Sequence, residues 1–423
     1  MTLRPRTFVE KAIERASGKT GLVPGDIVDV TPDVYMSHTA SWRCIRTFEK
    51  LEGAKILHPE RVAMVMDHIA PARTSVIAAY HRLCRGFAKE QGIENFFDVN
   101  AGICHLVLME NGLVRPGEII IGTDSHSTIY GALGALGTGV GFSEITAAWV
   151  TGVIWMRVPP SIKINLTGKL RPGVFVKDIM LKIIGDLTAD GATYCAIEFD
   201  GELTADLSIS ERMTLCNLAM EMGAKNAYVR PDKKTFDYLS EAGVDFPEED
   251  ALFPDEGAEY MRIVDVEVSD LEPQVSCPPL VDNVKSISDI AGTPIDQVFI
   301  GSCANGKYDD LVIAAGYLKG KKVADGVRLL ITPGSREVMK KVADNGVLST
   351  LIEAGALITN PGCGACAGDG GAMDDGEVTL STANRNFSGR MGSYKSDIYL
   401  ASPATAAVSA IAGVITNPEG ESK

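Results

Sequence analysis

The chain lacks the features that would direct it to a membrane, to secretion or to nucleic acid. No stretch approaches the ~20 consecutive apolar residues that a membrane-spanning helix needs. The first six residues, MTLRPR, contain no apolar run of the secretory-signal type. Basic residues are the minority, with 40 Lys and Arg against 55 Asp and Glu, and the net charge is −15. That charge disfavours nucleic acid or an anionic membrane as the main partner.

Nine cysteines, an odd number, accompany this absence of a secretion signal. Reduced thiols therefore fit the chain better than a disulfide framework, and we expect a cytoplasmic protein. A length of 423 residues predicts two to four domains. No internal repeat or low-complexity segment is present, apart from a short polar tail at 417–423.

Helical and strand patterns alternate along the chain, which is typical of an α/β protein. Apolar periodicity predicts helices over 7–17 and 75–91 and strands over 27–30, 60–68, 96–99, 118–122, 162–166 and 297–301. Pro159-Pro160 and the Pro/Ser-rich stretch 272–280 mark two boundaries. We therefore expect three domains, at residues 1–158, 159–281 and 282–423.

A glycine-dense stretch at 131–141 reads GALGALGTGVG. A phosphate-binding loop is one interpretation, but the stretch matches neither a Walker A sequence nor a clean G-x-G-x-x-G after a strand. Close packing of the backbone against a neighbour is the preferred interpretation.

Three cysteines stand in glycine- and asparagine-rich turns: Cys303 in GSCANG at 301–306, and Cys363 and Cys366 in NPGCGACAG at 360–368. Two thiolates separated by two residues, with one far upstream, can supply three ligands to a four-iron cluster and leave one iron open. Electron-transfer clusters of this type use four cysteines, so a pure electron carrier is disfavoured. The alternatives are a zinc site, which would want a fourth ligand, or inert cysteines. The remaining cysteines are interpreted as small buried apolar residues: Cys44, Cys84, Cys104, Cys195, Cys216 and Cys277.

With GTDSH at 122–126 and NRNFSGR at 384–390, these turns make the chain resemble the aconitase superfamily over roughly residues 20–415. Within it, the resemblance is strongest to the large subunits of 3-isopropylmalate dehydratases. The resemblance implies three α/β domains with mixed sheets around a central iron–sulfur cleft. It also implies one [4Fe-4S] cluster with three cysteine ligands, Cys303, Cys363 and Cys366, and one open iron.

The activity implied is reversible elimination of water from a small hydroxy-di- or tricarboxylate, with the open iron as Lewis acid and a nearby group protonating the departing oxygen. The resemblance assigns catalytic roles to Asp67, His68, His105, Asp124, His126 and Glu198. Ser125, Arg385 and Arg390 are expected to bind substrate, and Asn305 and Asn384 to support the cluster. His38, His58 and His81 are interpreted as structural.

Single-chain relatives carry a further, mobile domain that supplies the base for the carbon-bound proton. We therefore expect a small-subunit partner, in a heterodimer or heterotetramer. The two cysteine turns differ from the usual family turns at four positions: Ala304, Lys307, Ala365 and Ala367. The identity of the substrate therefore stays undecided. The alternatives to isopropylmalate are the substrates of homoaconitase and of methylmalate or 2,3-dimethylmalate dehydratases. An RNA-binding iron sensor is a further alternative, which the net charge of −15 disfavours.

Overall fold

The structure, a computed structural model, describes residues 4–419. The extreme ends of the expected first and third domains, residues 1–3 and 420–423, lie outside the described residues. Within 4–419, no helix is both long and apolar enough to cross a membrane. The elements fall into three successive segments, each with its own main sheet.

The N-terminal segment, residues 4–158, is built on a five-stranded parallel sheet in the order β4-β3-β2-β5-β6. A separate antiparallel pair joins β1 to β7. The strands are β1 Ile27–Val30, β2 Val34–Ser37, β3 Val62–Val65, β4 Asn95–Phe97, β5 Ile119–Gly122, β6 Leu136–Gly139 and β7 Ile154–Arg157. The helices are α1 Phe8–Ser17, α2 Ser41–Phe48, α3 Ser75–Gln91, α4 Cys104–Glu110 and α5 Phe142–Thr151, with 3-10 turns at Pro59–Arg61 and Ser125–Leu133.

Local chemistry explains why several of these elements begin and end where they do. The Thr74 hydroxyl accepts the Ile77 amide hydrogen at the start of α3, and Gly92 ends that helix in a left-handed conformation. Strand β5 is buried at every position. Its run of isoleucines suits an inner strand of a parallel sheet covered on both faces.

The middle segment, residues 159–267, contains a four-stranded parallel sheet in the order β10-β9-β8-β11. Its strands are β8 Ser161–Thr167, β9 Ala196–Asp200, β10 Asn226–Val229 and β11 Arg262–Glu267. Its helices are α6 Val176–Leu187, α7 Glu202–Asp206, α8 Ile209–Leu218 and α9 Lys233–Glu241, with 3-10 turns at Ala219–Met222 and Glu248–Asp250.

The C-terminal segment contains a mixed seven-stranded sheet in the order β13-β12-β18-β17-β14-β15-β16. Its strands are β12 Gln274–Ser276, β13 Val284–Ser286, β14 Gln297–Ile300, β15 Arg328–Ile331, β16 Leu357–Ile358, β17 Val378–Ser381 and β18 Asp397–Leu400. Its helices are α10 Ile287–Ile290, α11 Ser302–Asn305, α12 Tyr308–Leu318, α13 Arg336–Asp344, α14 Val347–Ala354 and α15 Pro403–Ala412, with a 3-10 turn at Gly364–Ala367. Sheet membership changes between β11 and β12, and the domain limits at 158 and 281 stay a prediction.

Two apolar cores hold the segments together. The larger core is continuous through all three segments, and the smaller one lies mainly in the N-terminal segment around Phe8 and Trp149. The glycine-dense stretch lies between them. A Cβ on Gly131 would lie 1.7 Å from the Ala227 carbonyl oxygen, and one on Gly137 would lie 2.0 Å from that of Ser127. The interpretation of this stretch as closely packed backbone is confirmed.

Candidate active site

Polar residues that follow β3 and β5 meet at the carboxyl edge of the N-terminal sheet, where open α/β sheets usually bind ligands. Asp124 lies at the centre of this group. Its carboxylate oxygens are 3.2 Å from His68 Nε2, 3.1 Å from His105 Nε2 and 3.4 Å from His126 Nδ1. The structure therefore brings three predicted histidines around one predicted carboxylate.

Asp67 fixes the position of His68 within this group. Its carboxylate is buried, lies 2.8 Å from His68 Nδ1 and accepts the backbone amide hydrogen of Cys104 at 2.9 Å. The Thr39 hydroxyl accepts the amide hydrogens of both Asp67 and His68, at 2.7 and 2.8 Å. Each nitrogen of His68 therefore has a carboxylate partner, which fixes the plane of the ring.

Electrostatics favour positively charged histidines beside negatively charged aspartates. Burial alone would lower the pKa of His68, but Asp67 and Asp124 raise it to about 10. Burial is likewise outweighed at His126, where Asp124 and Glu221 raise the pKa to about 9. The pKa of Asp124 lies well below its ordinary value, because the neighbouring histidines outweigh its burial. At neutral pH these directions favour imidazolium at His68 and His126 and carboxylate at Asp124.

His38 belongs to this group, which corrects its interpretation as a structural residue. Its ring stacks on His68 with centroids 4.3 Å apart, and its Nδ1 accepts the Ala40 amide hydrogen at 3.1 Å. Burial, together with the charge of His68, lowers the pKa of His38 to about 4. His38 is therefore a neutral imidazole whose remaining hydrogen is on Nε2. Its signal in the sequence was its place just after β2, next to β3 in the sheet.

The middle segment contributes Glu221, which the sequence analysis did not select. Glu221 lies in the 3-10 turn after α8, with Oε1 2.6 Å from His126 Nε2. Arg385 Nε donates to both Glu221 oxygens, at 3.0 and 3.1 Å, and Arg385 Nη2 donates to the Ser125 hydroxyl at 3.1 Å. Burial would raise the pKa of Glu221, but His126 and Arg385 hold it below its ordinary value. An anionic carboxylate thus links a predicted proton donor to a predicted substrate-binding arginine.

Glu198, the glutamate predicted to be catalytic, lies away from the histidine–aspartate group. Its carboxylate accepts the Phe8 amide hydrogen at 2.8 Å and the Tyr260 hydroxyl hydrogen at 2.7 Å. Burial raises the pKa of Glu198 to about 7. The reason for the correction is that β9 directs this side chain toward α1, whereas the turn after α8 directs Glu221 toward the histidines.

The cysteine turns of the C-terminal segment complete the site. Cys303 lies in α11 directly after β14. Cys363 directly precedes the 3-10 turn Gly364–Ala367 that follows β16, and Cys366 lies within that turn. All three are buried. The turn approaches Asp67 closely, because a Cβ on Gly362 would lie 2.6 Å from the Asp67 carbonyl oxygen. This glycine lets the cysteines lie against the histidine–aspartate group.

The pKa is lowered at two of these three cysteines, whereas the hydrogen bond with Cys366 and burial raise the pKa of Cys363. Burial would raise the pKa of Cys303, but His105 and His126 lower it to about 7. The pKa of Cys366 lies well below its ordinary value, through its hydrogen bond with Cys363 and the charge of Arg390. Burial raises the pKa of each of the six cysteines predicted to be inert: Cys44, Cys84, Cys104, Cys195, Cys216 and Cys277. All six are buried, as predicted.

Nearby polar groups point donors at the sulfurs. Asn384 Nδ2 lies 3.3 Å from Cys303 Sγ, and Arg390 Nη2 lies 3.7 Å from Cys366 Sγ. Asn305 Nδ2 donates instead to Asp310, at 3.0 Å. Among the described residues, several buried polar atoms in this region have no hydrogen-bond partner: Asn217 Oδ1 and Nδ2, Asn305 Oδ1, Asn384 Oδ1 and Arg390 Nε. Buried cysteines with a lowered pKa suit metal ligands, and donors directed at sulfur suit a metal–sulfur group held by those ligands.

Comparison with known proteins agrees with this chemistry. The profile of the Aconitase family (aconitate hydratase) matches residues 19–293 and 281–413. The chain belongs to the aconitase family. Membership implies an iron–sulfur cluster, for which the structure offers the buried cysteines just described. It also confirms the predicted fold class and makes the chain a hydro-lyase of that family.

Among curated members of the family, several similar proteins are named as large subunits. The 3-isopropylmalate dehydratase large subunit 1 of Methanopyrus kandleri is 47% identical over 98% of this chain and 99% of its own length. A probable 3-isopropylmalate dehydratase large subunit of Methanothermobacter thermautotrophicus is 46% identical over 97% and 98% of the two chains. A probable methanogen homoaconitase large subunit of the same organism is 44% identical over 98% of both.

Proposed function

We propose that this chain is the large, catalytic subunit of a [4Fe-4S]-dependent hydro-lyase, a 3-isopropylmalate dehydratase that interconverts 2- and 3-isopropylmalate in leucine biosynthesis. The observation that carries the proposal is the convergence of three segments on one site. The N-terminal segment supplies the histidine–aspartate group, the middle segment Glu221, and the C-terminal segment the cysteines and arginines. Relatives with this name match the chain over nearly their full length.

Cys303, Cys363 and Cys366 would hold the cluster, whose iron, when bound, supplies Lewis-acid chemistry toward the hydroxyl and carboxylate of the substrate. With three cysteines, one iron is left without a thiolate. Arg390 and Asn384 stabilise negative charge on the sulfurs, because they donate toward Cys366 and Cys303. The low pKa of Cys366 and of Cys303 favours the thiolates that such ligands must be.

The protonated imidazoles around Asp124 are the acids available to protonate the departing hydroxyl oxygen. The pKa of His68 is about 10 and that of His126 about 9, so both imidazoles are positively charged at neutral pH. Asp124 keeps each donor oriented and favours its protonated form. His38 can donate only from Nε2, so it is suited to bind a substrate oxygen rather than to exchange protons.

Arg385 and Arg390 would bind the carboxylates of the substrate. Arg385 is held on one side by Glu221 and on another by Ser125, which fixes the direction of its planar guanidinium. Such a fork pairs with both oxygens of a carboxylate, which a lysine cannot do. Its side chain is 27% exposed, so it is reachable from solvent.

We further propose that a separate small subunit completes the active site and supplies the base for the carbon-bound proton. The support is that the relatives covered over 98–99% of their length are named large subunits. The second candidate function is homoaconitase, because relatives with that name are 44% and 46% identical, almost as similar as the dehydratases.

The test is the ultraviolet absorbance of the alkene formed by the anaerobically reconstituted chain mixed with its small subunit. The panel holds 2- and 3-isopropylmalate, citramalate, 2,3-dimethylmalate, homocitrate and citrate. We expect isopropylmalates to react fastest, whereas preference for homocitrate would replace the proposal with the homoaconitase reading. Iron content then tests the ligand set: Cys303→Ala should lose the cluster, and Cys277→Ala, another buried cysteine, should keep it.

A further inference from the structure

Lys177, in the first turn of α6, is a buried lysine to which the roles described above assign nothing. Lys177 is only 1% exposed to solvent. Its ammonium donates to the carbonyl oxygens of Thr382 at 3.1 Å and Ala383 at 2.8 Å. The middle segment therefore reaches the C-terminal segment through this side chain, immediately before Asn384.

The charge of Lys177 is not balanced in the usual way. Among residues 4–419, no carboxylate lies within 4 Å of its ammonium, whereas Lys307 Nζ lies 2.8 Å from Asp310 and Lys182 Nζ, on the same helix, lies 2.5 Å from Asp186. A buried ammonium without a partner anion is costly. Burial and the charge of Lys307 lower the pKa of Lys177 to about 8, and the neighbouring Cys303, Cys366 and Glu221 act in the opposite direction.

Two of those three anionic groups are proposed cluster ligands, and the third anchors Arg385. The carbonyls that Lys177 binds directly precede Asn384, which donates to Cys303 Sγ, and Arg385, which donates to Glu221 and Ser125. One ammonium thus fixes the backbone that carries both side chains and lies within electrostatic range of the sulfurs.

We propose that Lys177 is a positioning residue for the proposed reaction. It holds the 382–383 backbone so that Arg385 keeps its direction toward substrate, and it provides a buried positive charge that stabilises the anionic sulfur site. The inference rests on the proposed function, since both effects concern the loaded cluster and the substrate.

The test compares Lys177→Met, Lys177→Arg and, as a matched control on α6, Lys182→Met, each in complex with the small subunit. In Lys177→Met we expect a more negative reduction potential of the cluster, followed by electron paramagnetic resonance, because a nearby positive charge is lost. We also expect a raised KM, because Arg385 loses its fixed direction toward substrate, with kcat/KM falling about 10–100-fold, the usual loss of activity on removing a supporting residue of a metal site. Lys177→Arg should keep the potential but raise KM, because the charge remains while the two carbonyl contacts change.

A Lys177→Met protein with the potential and KM of Lys182→Met would overturn the inference. Should Lys177→Met fail to fold, Lys177→Arg decides: a raised KM at unchanged potential supports positioning, and an unchanged KM contradicts it. Failure of the proposed function looks different, because the unaltered complex would then convert no isopropylmalate at all.

Discussion

Glu198 and Glu221 are two buried glutamates of the middle segment, and their surroundings give them opposite properties. Glu198 faces α1 and receives hydrogen bonds from an amide and a phenol, both neutral donors. Glu221 faces the other two segments and contacts an imidazole and a guanidinium. The pKa of the first is raised to about 7 and that of the second is lowered, although both are buried. The charge of the partner, rather than burial, decides which glutamate can serve an active site.

The largest expected difference between substitutions of Glu221 and of Glu198 is in kcat. Glu221→Gln should lower kcat about 100-fold or more, because His126 loses the anion that holds its proton and Arg385 loses its anchor. The upper pH limit of activity should also move down, because the pKa of His126, now about 9, depends on Glu221. Glu198→Gln is the matched control, and equal losses in the two variants would remove the distinction between the glutamates.

A smaller effect is expected from the cation that distinguishes the Glu221 environment. Arg385→Lys should raise KM for the substrate about 10–100-fold, the value of one or two charge-assisted hydrogen bonds. Steady-state kinetics with the loaded complex measure it. Arg328→Lys is the control, because Arg328 makes a similar two-bond contact with Glu377 away from the site. A KM unchanged in the Arg385 variant would show that the guanidinium serves Glu221 alone.

The smallest effect concerns stability and its dependence on pH. The folded protein raises the pKa of Glu198 to about 7, so the folded state favours the protonated carboxyl. The contribution of the Glu198 carboxyl to the free energy of unfolding is fully present below its pKa in the unfolded chain, about 4.3. That contribution is lost as the pH rises through 7. Glu198→Gln, which mimics the protonated form, should therefore match the parent at pH 4 and be more stable at pH 8, by on the order of 1–3 kcal/mol.

Calorimetric unfolding at both pH values measures this difference, and activity should stay at the level of the parent. A variant less stable than the parent at pH 8 would mean that Glu198 is ionised in the folded protein. That result would make the two glutamates alike.

The sequence predicted the α/β pattern well, because that pattern depends on local signals, whereas the role of the cysteine turns stays a prediction. Helix α3 occupies the predicted residues 75–91, bounded by a capping threonine and a glycine. Glu221 escaped prediction because its partners are distant along the chain: His126 is 95 residues before it and Arg385 is 164 residues after it. Nothing local distinguishes AIEF at 196–199 from AMEM at 219–222.

His38 escaped for a different reason, since a single histidine carries little information on its own. The signal was positional: His38 follows β2, as Asp67 follows β3 and Asp124 follows β5, all at the same edge of a parallel sheet. Polar residues at the ends of adjacent strands belong together even when only some of them match a motif.

The contacts that close the site span most of the chain, with Asn360 bonded to Ala70 across 290 residues and Arg385 to Ser125 across 260. Such distant pairings form late in folding, since long loops must close first. During synthesis, Cys363, Cys366 and both arginines leave the ribosome after the groups that they face. Iron delivered early would therefore meet cysteines whose pKa the histidines and Arg390 had not yet lowered. On the proposed ligand set, we therefore expect the cluster to be held only once the three segments have packed together.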